Sequence, residues 1–312
     1  MSTPESSSRK NPQFYLVASL TSTTRNLEDA QELRTYATAL AQDGSRSVAV
    51  EKFAETWESD DRIVNIKAAD ESQIQRLIDD LRRDSTLEFS VARTKVLYLE
   101  TITLPVLGVD GKHEYHDGSS RVVIDLFPVQ GEDNGALDVV ENRFTNDVRG
   151  EAVPKEFIPD CERAFRNLCQ AGRLIKAPIT RVGMRLLDGA CCRQAYFFPA
   201  TFQALTVAFS QARFVLLEPV LHVEIEIPDE FFSAVLGDIG RRGIIVEDMK
   251  EVGDRRRLSA RCTAASLLGY ESVLGVLSER KGKLTTNYIG YQQVLESETR
   301  DLVARARSSY RT

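Results

Sequence analysis

The chain has 312 residues, 42% hydrophobic and 28% charged, enough apolar material for two or three ordinary cores and too much for a disordered polymer. Its 40 Lys and Arg against 46 Asp and Glu leave a formal net charge of −6, which excludes a generic polycationic coat for nucleic acid and confines any RNA contact to local patches. No apolar run spans a bilayer, the polar start MSTPESSSRK is unlike a signal peptide, and five irregularly spaced cysteines fit reduced thiols, so a cytoplasmic protein with no membrane partner is expected.

Residues 1–11 read as a polar tail. From 14 to 20 apolar and polar residues alternate with the period of a half-buried strand, and 27–40 is helical with Ala30, Leu33, Ala37 and Leu40 on one stripe. Residues 48–53 and 62–68 read as paired strands. Asp70 then caps a helix whose Ile74, Leu77, Ile78 and Leu81 face one way, and 87–91 closes with a strand. Over residues 12–95 the order is βαββαβ, the split-βαβ or ferredoxin-like layout.

Residues 96–214 are strand-rich first and end in a helix, at the length of one domain. Strands are predicted at 96–106 and 121–128, a helix from Pro159 or Asp160 to Gln170 that stops at Gly172, and a strand at 179–187. On that last strand Thr180, Val182, Met184 and Leu186 share a face, leaving Arg181 and Arg185 on the other. Pro199 suits the first residue of a helix striped by Phe202, Leu205, Thr206 and Phe209.

Alternation returns over 217–227. Asp229 is the predicted N-cap of a helix with Phe232, Val235, Leu236 and Ile239 on one face, ended by Gly240 and Gly243. Strands at 244–249 and 257–263 are joined by a Gly253-Asp254 turn, a helix carries Tyr270, Val273, Leu274 and Leu277, and 284–291 alternates again. Residues 215–295 thus repeat βαββαβ, and 296–312 read as a fraying helix and tail.

Catalytic motifs are missing. No GxxxxGK[ST] phosphate loop occurs: near Gly282-Lys283, Leu277 stands where the first glycine belongs and Leu284 where the Mg²⁺-binding hydroxyl belongs. The histidines meet no GxSxG serine, HExxH pair or paired carboxylates, so no enzyme and no cofactor is expected. What remains is basic. Arg241 and Arg242 follow one helix of the last unit, and Arg280, Lys281 and Lys283 the other, so both sets fall in loops that can place cations on phosphates, or else answer the helix dipoles. Arg255, Arg256 and Arg257 form a run on a hairpin. Arg181, Arg185 and Arg193, with Arg173 and Lys176 nearby, make one face of the middle domain basic or guard a strand edge. Beside Arg193, Tyr196, Phe197 and Phe198 are rings that stack on bases or pack in a core.

Three stretches in order resemble the elongation factor G family of translational GTPases. VLYLETI (96–102) is similar to the V-x-Y-x-E-T-I that leads from domain III into domain IV. VVIDLFP (122–128), NDVRG (146–150) and VPKEFIPDC (153–161) resemble that family's V-V-I-D-M-Y-P, N-D-I-K-G and V-I-P-x-E-Y-I-P-A. LLEPVLHVEIEIP, GDIGRRG and LGYESVLGVLSERKGK are similar to its domain V pattern. The resemblance implies an α+β fold, with ferredoxin-like domains III and V at 12–95 and 215–295 flanking a ribosomal-protein-S5-like domain IV at 96–214, and no GTPase domain. It implies a non-catalytic module that associates with the ribosome and its RNA, with no DNA partner. The alternatives are an arm working in trans with a separate GTPase, and a module repurposed to bind protein. Departures fall at the tip of domain IV, where 114–120 (EYHDGSS) is shorter and poorer in glycine than the family's loop, and 188–194 (DGACCRQ) replaces the second loop. On the implied fold these loops carry Lys112, His113 and His116 towards Cys191 and Cys192, two imidazoles and two thiols of the kind zinc takes. Adjacent cysteines are not the usual ligand spacing, and no metal is the expectation.

Overall fold

The computed structural model describes residues 15–23, 27–42, 48–50, 63–84, 86–115, 118–131, 137, 139–150, 152–191 and 197–309. The chain divides into two compact units, residues 1–97 with 219–289, and residues 98–218 with 290–312.

In the first unit, β1 (Leu16–Ser22), α1 (Leu27–Ala41), β2 (Val48–Val50), β3 (Ile63–Ala68), α2 (Glu71–Asp84) and β4 (Phe89–Val91) build a sheet in the order β2-β3-β1-β4, with β5 (Lys95–Val96) also on β1. The alternation sets the register: Leu16 lies opposite Ala68 and Leu20 opposite Val64, all on the buried face. Leu33, Leu77 and Leu81 of the helices close that core. Asp70 caps α2 as expected, its Oδ1 accepting the Gln73 N–H at 2.8 Å. The predicted strand residues 14, 51–53 and 62 lie outside the described residues.

The second unit holds β6 (Leu99–Ile102), β7 (Val106–Tyr115), β8 (Gly118–Pro128), β9 (Arg143–Asn146), α3 (Ile158–Leu168), β10 (Val182–Cys191) and α4 (Phe197–Gln211). Its four-stranded sheet runs β7-β8-β10-β9, with β9 parallel to β10 across α3. Val122, Ile124 and Leu126 of β8, Met184 and Leu186 of β10, Phe165 of α3 and Leu205 and Phe209 of α4 form the core. This is the S5-like arrangement.

Four expectations change here. The single strand at 96–106 is broken into β5, β6 and the start of β7, where a bend at Thr103-Leu104 leads to Pro105, which has no N–H for a ladder. Residues 114, 115 and 118–120 are strand residues of a β7–β8 hairpin, with Glu114 opposite Ser119, rather than free loop, while 116 and 117 lie outside the described residues. α4 starts two residues before Pro199; a proline in a first turn removes no intrahelical bond. Its buried side is Ala200, Ala204, Leu205, Ala208 and Phe209, so Phe202 and Thr206 of the predicted stripe face out.

The chain continues as β11 (Phe214–Pro228), α5 (Phe232–Arg241), β12 (Ile245–Val252), β13 (Arg255–Thr263), α6 (Ala264–Leu267), α7 (Tyr270–Leu277), β14 (Lys283–Gln293) and α8 (Glu296–Ser309). The sheet order β12-β13-β11-β14 repeats the ferredoxin-like order of the first sheet. β11 is long enough to serve twice, residues 214–217 pairing with β6 and residues 220–228 with β13. Asp229 is not an N-cap: a 3₁₀ turn, Asp229–Phe231, precedes α5, and the Asp229 carboxylate takes the Arg256 guanidinium instead. Gly253 turns the β12–β13 hairpin at φ +66°, a left-handed conformation that costs glycine nothing.

Cys161, Cys169 and Cys262 are free and buried. Burial pushes their thiols up, to about 11, about 12 and about 12, and pushes the Tyr15 and Tyr270 phenols to about 12. The unfolded chain therefore releases these protons first. Stability is fully present below the ordinary thiol range near about pH 8.5 and falls as pH climbs towards about 12. We expect urea midpoints to drop steadily above about pH 9, and the Cys161, Cys169 and Cys262 thiols to resist a thiol-reactive chromophore until urea is added. A midpoint flat to about pH 10.5, or instant labelling of all five cysteines, contradicts this placement.

Candidate nucleic-acid interface

The cations singled out from sequence are not gathered in one place. Arg241 ends α5 with its side chain 77% exposed, with a 3.4 Å contact to Asp238 and a 3.3 Å bond to the Gly237 carbonyl. Arg242 is different. Its Nε donates to Asp238 at 2.8 Å, its Nη1 to the Ser266 carbonyl at 3.1 Å, and its guanidinium lies 4.9 Å from the centre of the Tyr270 ring. It ties the end of α5 to the start of α7. The signal was available in sequence, because Asp238 stands four residues before Arg242 on one helix.

Lys281 sits at the other end of the same domain. Its ammonium donates to Glu230 at 3.0 Å and lies 4.9 Å from the Phe231 ring, beside the start of α5. The Glu230 carboxylate raises the Lys281 pKa above its usual value. α5 and α7 follow the antiparallel strands β11 and β13 and so run antiparallel themselves. The loops after them emerge at opposite ends, and Arg241 cannot share a ligand phosphate with Arg280, Lys281 or Lys283. Arg280 and Lys283 are exposed, and among the described residues neither has an ion-pair partner. The hairpin run is neutralised: Arg255 and Arg257 meet Glu226 at 2.9 and 3.4 Å, and Arg256 meets Asp229 and Glu251.

In the middle domain, Arg181 precedes β10 with φ +58° and is buried at 7% exposure, so it faces neither side of the strand as an open cation. Arg185 is on the strand, 3.1 Å from Asp147 and 3.8 Å from Asp125, with its guanidinium 5.3 Å from the Phe127 ring centre. Arg193 and Tyr196 lie outside the described residues. Phe197 is core, stacked on Phe157 at 5.4 Å. Phe198 is partly exposed, with Arg163 5.0 Å above its ring.

At the tip, Lys112 is exposed on β7, and register puts both His113 and Cys191 opposite Ser120, on either side of β8. Two strand spacings, about 10 Å, separate those backbones, too far for one metal ion to be held without long side chains converging. His116, Cys192 and the Cys191 side chain lie outside the described residues; among the described residues no three His, Cys, Asp or Glu are placed to hold a metal.

One residue that the sequence left unremarked organises the loop bearing Arg173 and Lys176. Glu100 is fully buried in β6 and accepts the N–H groups of Leu174, Ile175 and Ala177 at 2.9, 3.0 and 3.2 Å. Both cations project from the loop it fixes.

Fold and surface together define an α+β protein of two split-βαβ domains and an S5-like domain, with scattered exposed cations and no phosphate loop in its sequence. Residues 94–213 match the family model described as elongation factor G, domain IV, and residues 215–302 the one described as elongation factor G C-terminus. The chain belongs to the elongation factor G family. A crystal structure of a protein from Thermus thermophilus is similar at 20% identity with a TM-score of 0.68, covering 99% of this chain and 45% of that one. The chain therefore spans less than half the length of that relative, and the likeness is one of fold. Among the described residues no helix is long and apolar enough to cross a membrane.

Proposed function

We propose that this chain is a ribosome-associating, translation-factor-like module that acts in the cytosol by binding rather than catalysis. The observation that carries this is the ordered pair of family matches, domain IV followed directly by the C-terminal domain, on a continuous stretch of 94–302. Exposed Arg241, Arg280 and Lys283 supply separate points of contact for ribosomal RNA phosphates. Because Arg241 stands at the opposite end of the domain from Arg280 and Lys283, its effect on binding should add to theirs.

The test is co-sedimentation with ribosomes at two salt concentrations. Arg241→Ala should weaken association and shallow its salt dependence by about one unit of log slope, by analogy with counterion release from simpler nucleic acids, while leaving the melting temperature unchanged. Arg242→Ala should instead lower stability by about 1–2 kcal/mol through the lost Tyr270 and Asp238 contacts. Ribosome binding that is absent, or indifferent to Arg241, Arg280 and Lys283 together, overturns the proposal. The chain should also fail to bind a fluorescent guanine nucleotide, since the amides, lysine and hydroxyl of a P-loop are missing from its sequence; micromolar binding contradicts this.

A further inference from the structure

Between Glu162 and Asp188 the chain has no acid and six cations, Arg163, Arg166, Arg173, Lys176, Arg181 and Arg185, in a protein that elsewhere carries more acid than base. Folding accounts for four of them. Arg163 meets Asp160 at 2.9 Å, Arg166 meets Glu162 at 2.6 Å, Arg185 meets Asp147 at 3.1 Å, and Arg181 is buried. Arg173 and Lys176 are left exposed, and among the described residues neither has an ion-pair partner. Both stand on the loop between α3 and β10 in the second unit.

This loop is preformed. The Ile179 N–H closes its neck on the Cys169 carbonyl at 2.7 Å, and the Gly172 N–H donates to the Ala177 carbonyl at 2.7 Å. Inside that ring the N–H groups of Leu174, Ile175 and Ala177 turn in to the buried Glu100 carboxylate, whose oxygens are thereby committed to the backbone. Lys176 holds a left-handed backbone, φ +63°, where glycine is the unstrained residue. Such strain persists where the surroundings over-determine it, and it gathers at sites that hold a ligand. A lysine here strains the backbone and, among the described residues, meets no acid, so its ammonium contributes to something other than folding.

The segment also selects its ligand. Leu174 and Ile175 are half-buried, and none of the large apolar residues left exposed lies within residues 163–187. A protein partner finds no apolar anchor on this segment, whereas a phosphate asks only for charge and N–H donors. A loop already held in place also loses little freedom on binding. We infer that Arg173 and Lys176 form a further phosphate-binding point for ribosomal RNA, on the middle domain and away from its tip. This rests on the ribosome-associating reading above and adds to it a contact separate from Arg241, Arg280 and Lys283.

The test is ribosome co-sedimentation of full-chain variants across a salt series, with urea midpoints measured beside it. Arg173→Ala and Lys176→Gly should each weaken association about five- to tenfold at about 0.1 M salt and shallow the log slope by about one unit. Lys176→Arg, which keeps the charge, should bind like the parent. Lys176→Gly should hold or raise the urea midpoint, because it relieves the left-handed backbone. A cation kept only to answer the dipole at the end of α3 gives the reverse, a lower midpoint with unchanged binding, and overturns the inference. Release of the bound parent by oligoglutamate as readily as by an RNA duplex of equal charge assigns the loop to an acidic protein surface and also overturns it. Association that still depends on Arg241 but ignores Arg173 and Lys176 sinks this inference alone, while no association at all sinks the ribosome proposal with it.

Discussion

Glu100→Ala should destabilise the second unit by about 3–5 kcal/mol, a loss large enough to be read as a shift of several degrees in melting or as a lower urea midpoint. The carboxylate is fully buried, and three N–H donors from the loop at 174–177 converge on it. Charge-assisted bonds of this kind are stronger than neutral ones, and deleting the acceptor leaves all three donors without it while opening a cavity. The backbone around it is equally committed, since the Glu100 N–H donates to Pro178 and its carbonyl accepts from Thr180, both at 2.9 Å. Glu100→Gln keeps one acceptor but turns an NH₂ towards a donor, and should lose about half as much. Gly172 supplies an internal check: a Cβ there would fall 2.2 Å from the Glu100 carboxyl carbon, so Gly172→Ala should damage the same arrangement. The two changes together should cost less than their sum. A Glu100→Ala protein that melts with the parent shows that the loop is held by other means.

Both ferredoxin-like domains were legible because most of their elements, though not the exposed β12, are half-buried, which writes the burial pattern into the residue order. β1 alternates buried and half-buried along its whole length, and α2 buries Ile74, Leu77, Ile78 and Leu81, the same four residues that spacing selects. β7 was illegible for the opposite reason. Its sequence VLGVDGKHEY contains two glycines and four charged or histidine residues, and within it only Val109 is a buried aliphatic. The strand is recruited by pairing with β8 and by contact with α4, neither of which leaves a local trace. Cations show the same division. The Asp238–Arg242 pair has helical spacing and could be read, whereas Arg256 meets Asp229 across 27 residues. The charges are plain in the residue order; which of them remain open is decided by the acids that folding brings beside them.

Gly111→Ala should cost about 3 kcal/mol, and Gly111→Val should prevent the second unit from folding stably, although each adds only one or a few carbons. Gly111 lies on β7 where α4 crosses it. A Cβ at this position would stand 2.4 Å from the Ala204 nitrogen, 2.5 Å from the Ala204 Cβ and 2.6 Å from the Ala200 carbonyl oxygen. These are chiefly backbone atoms of a helix, so no rotamer change relieves the clash; the strand and helix must separate, and the close packing of Ala200, Ala204 and Ala208 on the sheet is lost with them. The need here is for space rather than for an unusual backbone angle, because Gly111 does not have a positive φ. Gly237→Ala is the matching control: it lies within α5 with nothing within 4 Å of the position its methyl carbon would take, and should stabilise by about 0.5–1 kcal/mol. Urea midpoints of the two variants should therefore move in opposite directions from the parent. If Gly111→Ala unfolds with the parent, α4 does not rest on β7 at this distance, and the seating of the helix on the hairpin that carries Lys112 and His113 must be redrawn.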